Sequence, residues 1–110
     1  MSSELDISEF RRAEIRVGMV IEAERVQGTD RLIRLTVDFG TFRKQALAGL
    51  GHLYGPEHFV NRKFVFVTNL RPKKVRGLVS ECMILAAMTD ESNVVPIVPE
   101  RDIQQGAQVL

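Results

Sequence analysis

Lys63-Phe64-Val65-Phe66-Val67-Thr68-Asn69-Leu70 is filled with β-branched and aromatic residues and carries apolar side chains on both faces. A strand open to water on one side alternates apolar with polar residues, so this run reads as a strand covered on both sides. Downstream, residues 71–77 read as a polar loop stiffened by Pro72, and residues 81–87 as the next strand. A polar turn at 89–93, a short strand at 94–98 and a tail from Pro99 to Leu110 complete that side. Upstream, residues 49–60 are too rich in glycine for a strand, and Pro56 stands where a helix can begin, which predicts a short helical connector.

Further upstream, Leu32, Arg34, Thr36 and Asp38 alternate with Ile33, Leu35, Val37 and Phe39. Gly40-Thr41 then turns the chain into a strand over 42–48, so the two form a hairpin. Residues 15–24 make the first strand, with Ile15, Val17, Met19, Ile21 and Ala23 expected on one side and Gly18 marking a bend. Residues 7–13 fit a short helix with Asp6 as N-cap and Glu9 completing a capping box. Five strands with a helical connector between the third and fourth is the order of an all-β OB-fold barrel with short N- and C-terminal extensions.

The chain has 110 residues, 45% of them hydrophobic, which is enough for one core and predicts a single domain over 1–110. No apolar run approaches the roughly 18–20 residues of a membrane-spanning helix, and Met1-Ser2-Ser3-Glu4 lacks the regions of a signal peptide, so the chain reads as cytoplasmic. Cys82 is the only cysteine and there are two histidines, short of a structural zinc pattern. Neither a metal nor another cofactor is expected. His52 and His58 have no carboxylate pair, nucleophile motif or phosphate loop beside them, which argues against an enzyme and against a small-molecule substrate.

Net charge is only +1, but it is unevenly distributed. Residues 58–80 contain no Asp or Glu and six cations, Arg62, Lys63, Arg71, Lys73, Lys74 and Arg76, leaving nine basic against fourteen acidic residues elsewhere. Such segregation offers a polyanion one side of an otherwise acidic molecule. Four of these cations fall within six positions of the 71–77 loop, where their mutual repulsion costs about a few tenths to 1 kcal/mol per close pair unless phosphates relieve it. Ser80, Glu81 and Met83 follow, a hydroxyl and a carboxylate suited to a ribose or base edge and a thioether suited to an unstacked base. Arg31, Arg34, Arg43 and Lys44 lie on the hairpin strands. With no Trp and one Tyr, the chain lacks the stacking platforms of a single-strand binder, which favours a folded RNA.

Glu14-Ile15-Arg16-Val17-Gly18, Asp30-Arg31-Leu32, Val37-Asp38-Phe39-Gly40, Tyr54-x-Pro56-Glu57 and above all the ordered block from Asn69-Leu70-Arg71-Pro72-Lys73-Lys74-Val75-Arg76-Gly77 through Ser80-Glu81-Cys82-Met83 resemble the tRNA-binding OB domain appended to many methionyl-tRNA synthetases. That domain also occurs as a free-standing structure-specific tRNA-binding protein and, in a sister branch, as the CsaA export chaperone. The resemblance implies a homodimer that holds the outer corner of tRNA, with an aminoacyl-tRNA synthetase as a partner in trans. It implies a binding surface of Asn69, Arg71, Lys73, Lys74, Arg76, Ser80, Glu81 and Met83 with Lys44 beside it. The chain departs from the family at Ala48, where a serine is usual, and at Asn61-Arg62-Lys63, where a glycine commonly precedes the basic pair. The chaperone alternative would bind unfolded or pre-secretory polypeptides; the loop block favours tRNA.

Overall fold

The computed structural model describes residues 3–110; Met1 and Ser2, part of the N-terminal reading above, lie outside the described residues. Its organising element is β1 (Ile15–Arg25), a long strand that serves two neighbours in succession. The Ile15 to Met19 half pairs with β4 (Lys63–Val67), and the Met19 to Arg25 half pairs with β2 (Ile33–Asp38). β3 (Arg43–Ala48) pairs with β2 in unbroken register from Ile33↔Ala48 to Asp38↔Arg43, the hairpin that alternation predicted. All partners are antiparallel.

Gly18 makes the change of partner sterically feasible. A Cβ there would approach Val37, Phe39 and Phe66, the Phe39 ring at 2.7 Å, so only a hydrogen fits where the strand crosses the core. Gly18 and Val20 face the main core, on the side of the strand opposite Ile15 and Val17. Val20 is fully buried, whereas Met19 and Ile21 are half-exposed, and a bulge interrupts the register between Val20 and Glu22. The expected series Ile15, Val17, Met19, Ile21, Ala23 therefore shares one side only as far as Met19: past the bulge Ala23, paired with Leu35, turns to the main core, because an extra residue in a strand reverses its faces.

β4 is covered on both sides, as its composition predicted. Phe64 and Phe66 enter the main core with Val20, Ile33, Leu35, Val37 and Phe39, and Phe39 meets Phe66 edge to face at 5.5 Å between centroids. Val65 and Val67 face the other way and pack with Ile15 under Leu85 and Val109. The lid over this second cluster is the C-terminal tail, whose Ala107 carbonyl accepts the Val17 N–H at 2.9 Å while Val109 N–H donates to Ile15 at 2.8 Å.

The connector is less helical than expected: a turn at Leu50 to Tyr54 and a single 3-10 turn at Pro56–His58, opened by the proline as anticipated. The N-terminal helix α1 spans only Ile7–Phe10, with the Asp6 N–H donating to the Glu9 carboxylate at 3.0 Å.

Two further corrections concern the second half. The 71–77 loop is a hairpin, β5 (Lys73–Val75) and β6 (Leu78–Ser80). The expected strand over 81–87 is broken into β7 (Met83–Ile84), paired with β4, and β8 (Ala86–Asp90), which turns back as β9 (Asn93–Pro96). The sheet order is thus β3-β2-β1-β4-β7, with a parallel bridge between Ala46 and Cys82 drawing its two edges together into a nearly closed five-stranded barrel.

Candidate nucleic-acid interface

Leaving the core at buried Thr68, the chain is anchored before it reaches the basic segment. Thr68 N–H and hydroxyl both donate to the Glu14 carbonyl, at 2.8 and 3.0 Å. Asn69 follows the same pattern. Its Oδ1 accepts the Glu14 N–H at 2.8 Å and its Nδ2 donates to the Arg12 carbonyl at 2.6 Å, so the amide clasps the N-terminal segment.

Beyond Pro72 the register of β5 and β6 is Lys73↔Ser80, Lys74↔Val79 and Val75↔Leu78. The two turn residues are Arg76 and Gly77, with φ of 50° and 79°. Both lie in the left-handed region that two-residue hairpins demand, where Asn or Gly usually stands first and an arginine costs about 1 kcal/mol. Because side chains alternate across a strand, Lys73 and Val75 share one face and Lys74 projects from the other.

The Lys73 face looks into an open groove of about 470 Å³. Leu32, Leu47, Leu70, Val75 and Met83 form its apolar walls, with buried Cys82 at the base. Arg71, Lys73 and Ser80 supply its polar atoms. None of the apolar residues except Met83 was expected at the site. Leu70 and Val75, apolar side chains inside a basic loop, were the signal available in the sequence.

Ser80 and Glu81 are engaged in closing the barrel. The exposed edge of β3 presents Gln45 and Leu47 N–H groups, which are satisfied by side chains: Glu81 Oε1 accepts from Gln45 at 3.0 Å and Ser80 Oγ accepts from Leu47 at 3.2 Å. Gln45 Nε2 reaches the Val79 carbonyl at 2.9 Å, fixing the hairpin base to the same strand. Lys44 is half-buried, its Nζ donating to the Thr68 carbonyl at 2.6 Å and lying 5.7 Å from the centre of the Phe42 ring.

The six cations of the acid-free stretch divide into two groups. Lys63 binds the Asp102 carboxylate at 2.8 Å and the Ile103 carbonyl at 2.6 Å, a hydrogen bond that holds the exposed Asp102 carboxyl below its usual range. Arg62 donates to the His58 carbonyl at 2.9 Å. Both serve the barrel and its C-terminal strap. Among the described residues, no carboxylate forms an ion pair with Arg71, Lys73, Lys74 or Arg76. Of the cations on the β2–β3 hairpin, Arg34 pairs with Glu24 and Arg43 is exposed.

Among the described residues, neither histidine meets a carboxylate or nucleophile side chain. His58 stacks on Tyr54 at 4.3 Å, and burial, reinforced by the Arg62 charge, lowers its pKa. His52 Nε2 lies 3.0 Å from the Glu91 carbonyl. Burial pushes the Cys82 thiol up to about 12, so it is a neutral apolar group at physiological pH. No group of three His, Cys, Asp or Glu side chains is placed to hold a metal among the described residues, and none of their helices is long and apolar enough to cross a membrane.

An OB barrel reads nucleic acid on its second and third strands, flanked by the loops after the first and fourth strands. The groove sits there: Leu32 precedes β2, Leu47 is on β3, and the β5–β6 hairpin fills the position of the loop after β4. Fold and groove together define the class, an OB-type nucleic-acid-binding module. The chain belongs to the family described as "Putative tRNA binding domain", whose pattern matches residues 15–108.

Among curated relatives, the methionine--tRNA ligase of Methanocaldococcus jannaschii is 40% identical over 106 residues, and that of Caldanaerobacter subterraneus subsp. tengcongensis 34% over 105. In both cases 96% of this chain is matched, but it spans only 16% of the ligase. A solved MetRS related protein from Pyrococcus horikoshii superposes with a TM-score of 0.94 at 35% identity, covering 99% of this chain and 100% of that one. The chaperone CsaA from Bacillus anthracis superposes with a TM-score of 0.89 at 29% identity, covering 98% and 100%.

Proposed function

We propose that this domain holds tRNA by the outer corner of its folded shape, as a homodimer, and presents it in trans to an aminoacyl-tRNA synthetase without itself performing catalysis. The observation that carries the reading is that, among the described residues, no carboxylate pairs with Arg71, Lys73, Lys74 or Arg76, which leaves four charges for phosphates on and just before a hairpin with a two-residue turn. A tight hairpin holds those charges near their bound positions, so less conformational entropy is lost on association. The scarcity of aromatic display favours a folded RNA over an unstructured strand. Association with a synthetase is supported by the ligase relatives, in which the matching segment is one part of a much longer chain. Dimerisation is supported by apolar side chains left open on and just after the β8–β9 hairpin, Met88, Val95, Ile97 and Val98 among them.

The test is tRNA retention measured against salt. Four neutralised phosphates predict about a hundredfold loss of affinity between roughly 50 and 200 mM salt. A flat response sinks the reading. Suppression of aggregation of an unfolded polypeptide that survives Arg71→Ala with Lys73→Ala, in a protein that does not retain tRNA, would assign the domain to the chaperone branch instead.

A further inference from the structure

The groove beside the hairpin holds a combination that phosphate binding alone does not need. Its walls are apolar, yet Leu70 and Met83 leave 44% and 47% of their surface open, and Arg71 and Lys73 are the charges that face it. A pure phosphate track would be polar throughout. An apolar slot with cations on it is complementary to a nucleotide, whose base is flat and apolar on its faces and whose backbone is anionic. Its volume of about 470 Å³ falls within the roughly 300–1,000 Å³ of small-ligand sites.

We propose that this groove takes a single nucleobase turned out of an otherwise folded RNA, lodged between Leu70 and Met83 while Arg71 and Lys73 hold the flanking phosphates. The inference rests on the RNA-binding reading and sharpens it: the protein grips a paired framework through charge and recognises one unpaired nucleotide by burying its base. Ser80 and Glu81 are committed to the barrel seam, so recognition depends on apolar contact more than on base-edge hydrogen bonds. The groove therefore accepts any base, with a preference for the larger purines, which bury more surface.

The experiment compares a fully paired RNA hairpin with the same hairpin carrying one bulged 2-aminopurine. The wild-type domain should bind the bulged RNA about tenfold more tightly, through burial of one base against apolar side chains. It should also raise the emission of the 2-aminopurine, because the base leaves its stacked neighbours for a groove that no aromatic residue lines. Leu70→Ser and Met83→Ala should each reduce the bulged-to-paired affinity ratio toward one, a readout that a general loss of folded protein does not mimic. Equal affinity for the two RNAs with the steep salt dependence intact overturns the base slot and leaves the electrostatic reading standing; no binding of either removes both. If an unfolded polypeptide displaces the bulged base while the paired RNA stays bound, the groove belongs to polypeptide and the proposal fails.

Discussion

Glu81 and Gln45 grip each other twice: the Gln45 N–H donates to the Glu81 carboxylate at 3.0 Å, and the Glu81 N–H donates to the Gln45 carbonyl at 2.8 Å. The pair joins the open edge of β3 to the segment leaving the basic hairpin, so it closes the barrel and orients the groove at once. Removing the carboxylate leaves a part-buried N–H without its acceptor. We expect Glu81→Ala to lose about 1–2 kcal/mol of stability, read as a lower urea midpoint at unchanged m-value. Its effect on tRNA affinity should be smaller than that of Arg71→Ala. Unaltered stability with collapsed affinity would mean that Glu81 touches the RNA directly.

The register of β5 and β6 separates cations that are adjacent in sequence. Arg71→Ala and Lys73→Ala, which empty the groove face, should each weaken tRNA binding by about 1.5 kcal/mol, roughly tenfold in Kd, and lower the salt slope by about one. Lys74→Ala, on the opposite face, should cost less in gel-shift titrations run side by side. Equal losses at Lys73 and Lys74 would show that the RNA wraps both faces of the hairpin.

Met88 and Val95 are 66% and 53% exposed on a hairpin that contributes little to its own barrel core. Light scattering at micromolar concentration should give the mass of a dimer for the native chain and of a monomer for Met88→Glu with Val95→Glu. A native monomer at that concentration refutes the dimer.

Cys82 supplies a pH signature. Burial raises its pKa from 9.0 to about 12, so folding favours the neutral thiol. The associated stability is complete below pH 9 and fades as pH rises toward 12, because the unfolded chain ionises first. Urea unfolding followed across that window should show the decline in the native chain and a shallower one in Cys82→Ala. Thiol reagents at neutral pH should modify Cys82 only under unfolding conditions.

The β2–β3 hairpin and the doubly covered β4 were legible in the sequence because their alternation is local: Ile33, Leu35, Val37 and Phe39 are all buried, and Phe64 to Val67 are buried on both faces. The core face of β1 was not legible past Met19, since the bulge between Val20 and Glu22 turns Ala23 to the core, and before it only Gly18 and Val20 mark the core side. The β5–β6 hairpin escaped because Arg76-Gly77 is not the Asn-Gly or Asp-Gly signal, and an arginine at positive φ is tolerated only when the strands around it enforce the turn. For the site, the basic hairpin could be located in advance but its apolar groove could not, because Leu32, Leu47 and Met83 arrive from three separate segments.

What the sequence determined by itself was where the chain is extended, where it turns and where its cations concentrate, since each depends on neighbours a few residues away. The tertiary structure decided which polar groups remain free to bind. Lys63 is taken by Asp102, 39 residues on, Asn69 by the Arg12 carbonyl, 57 residues back, and Glu81 by Gln45, 36 residues back. A side chain's availability depends on partners brought close only when the barrel closes, and no local pattern encodes that distance.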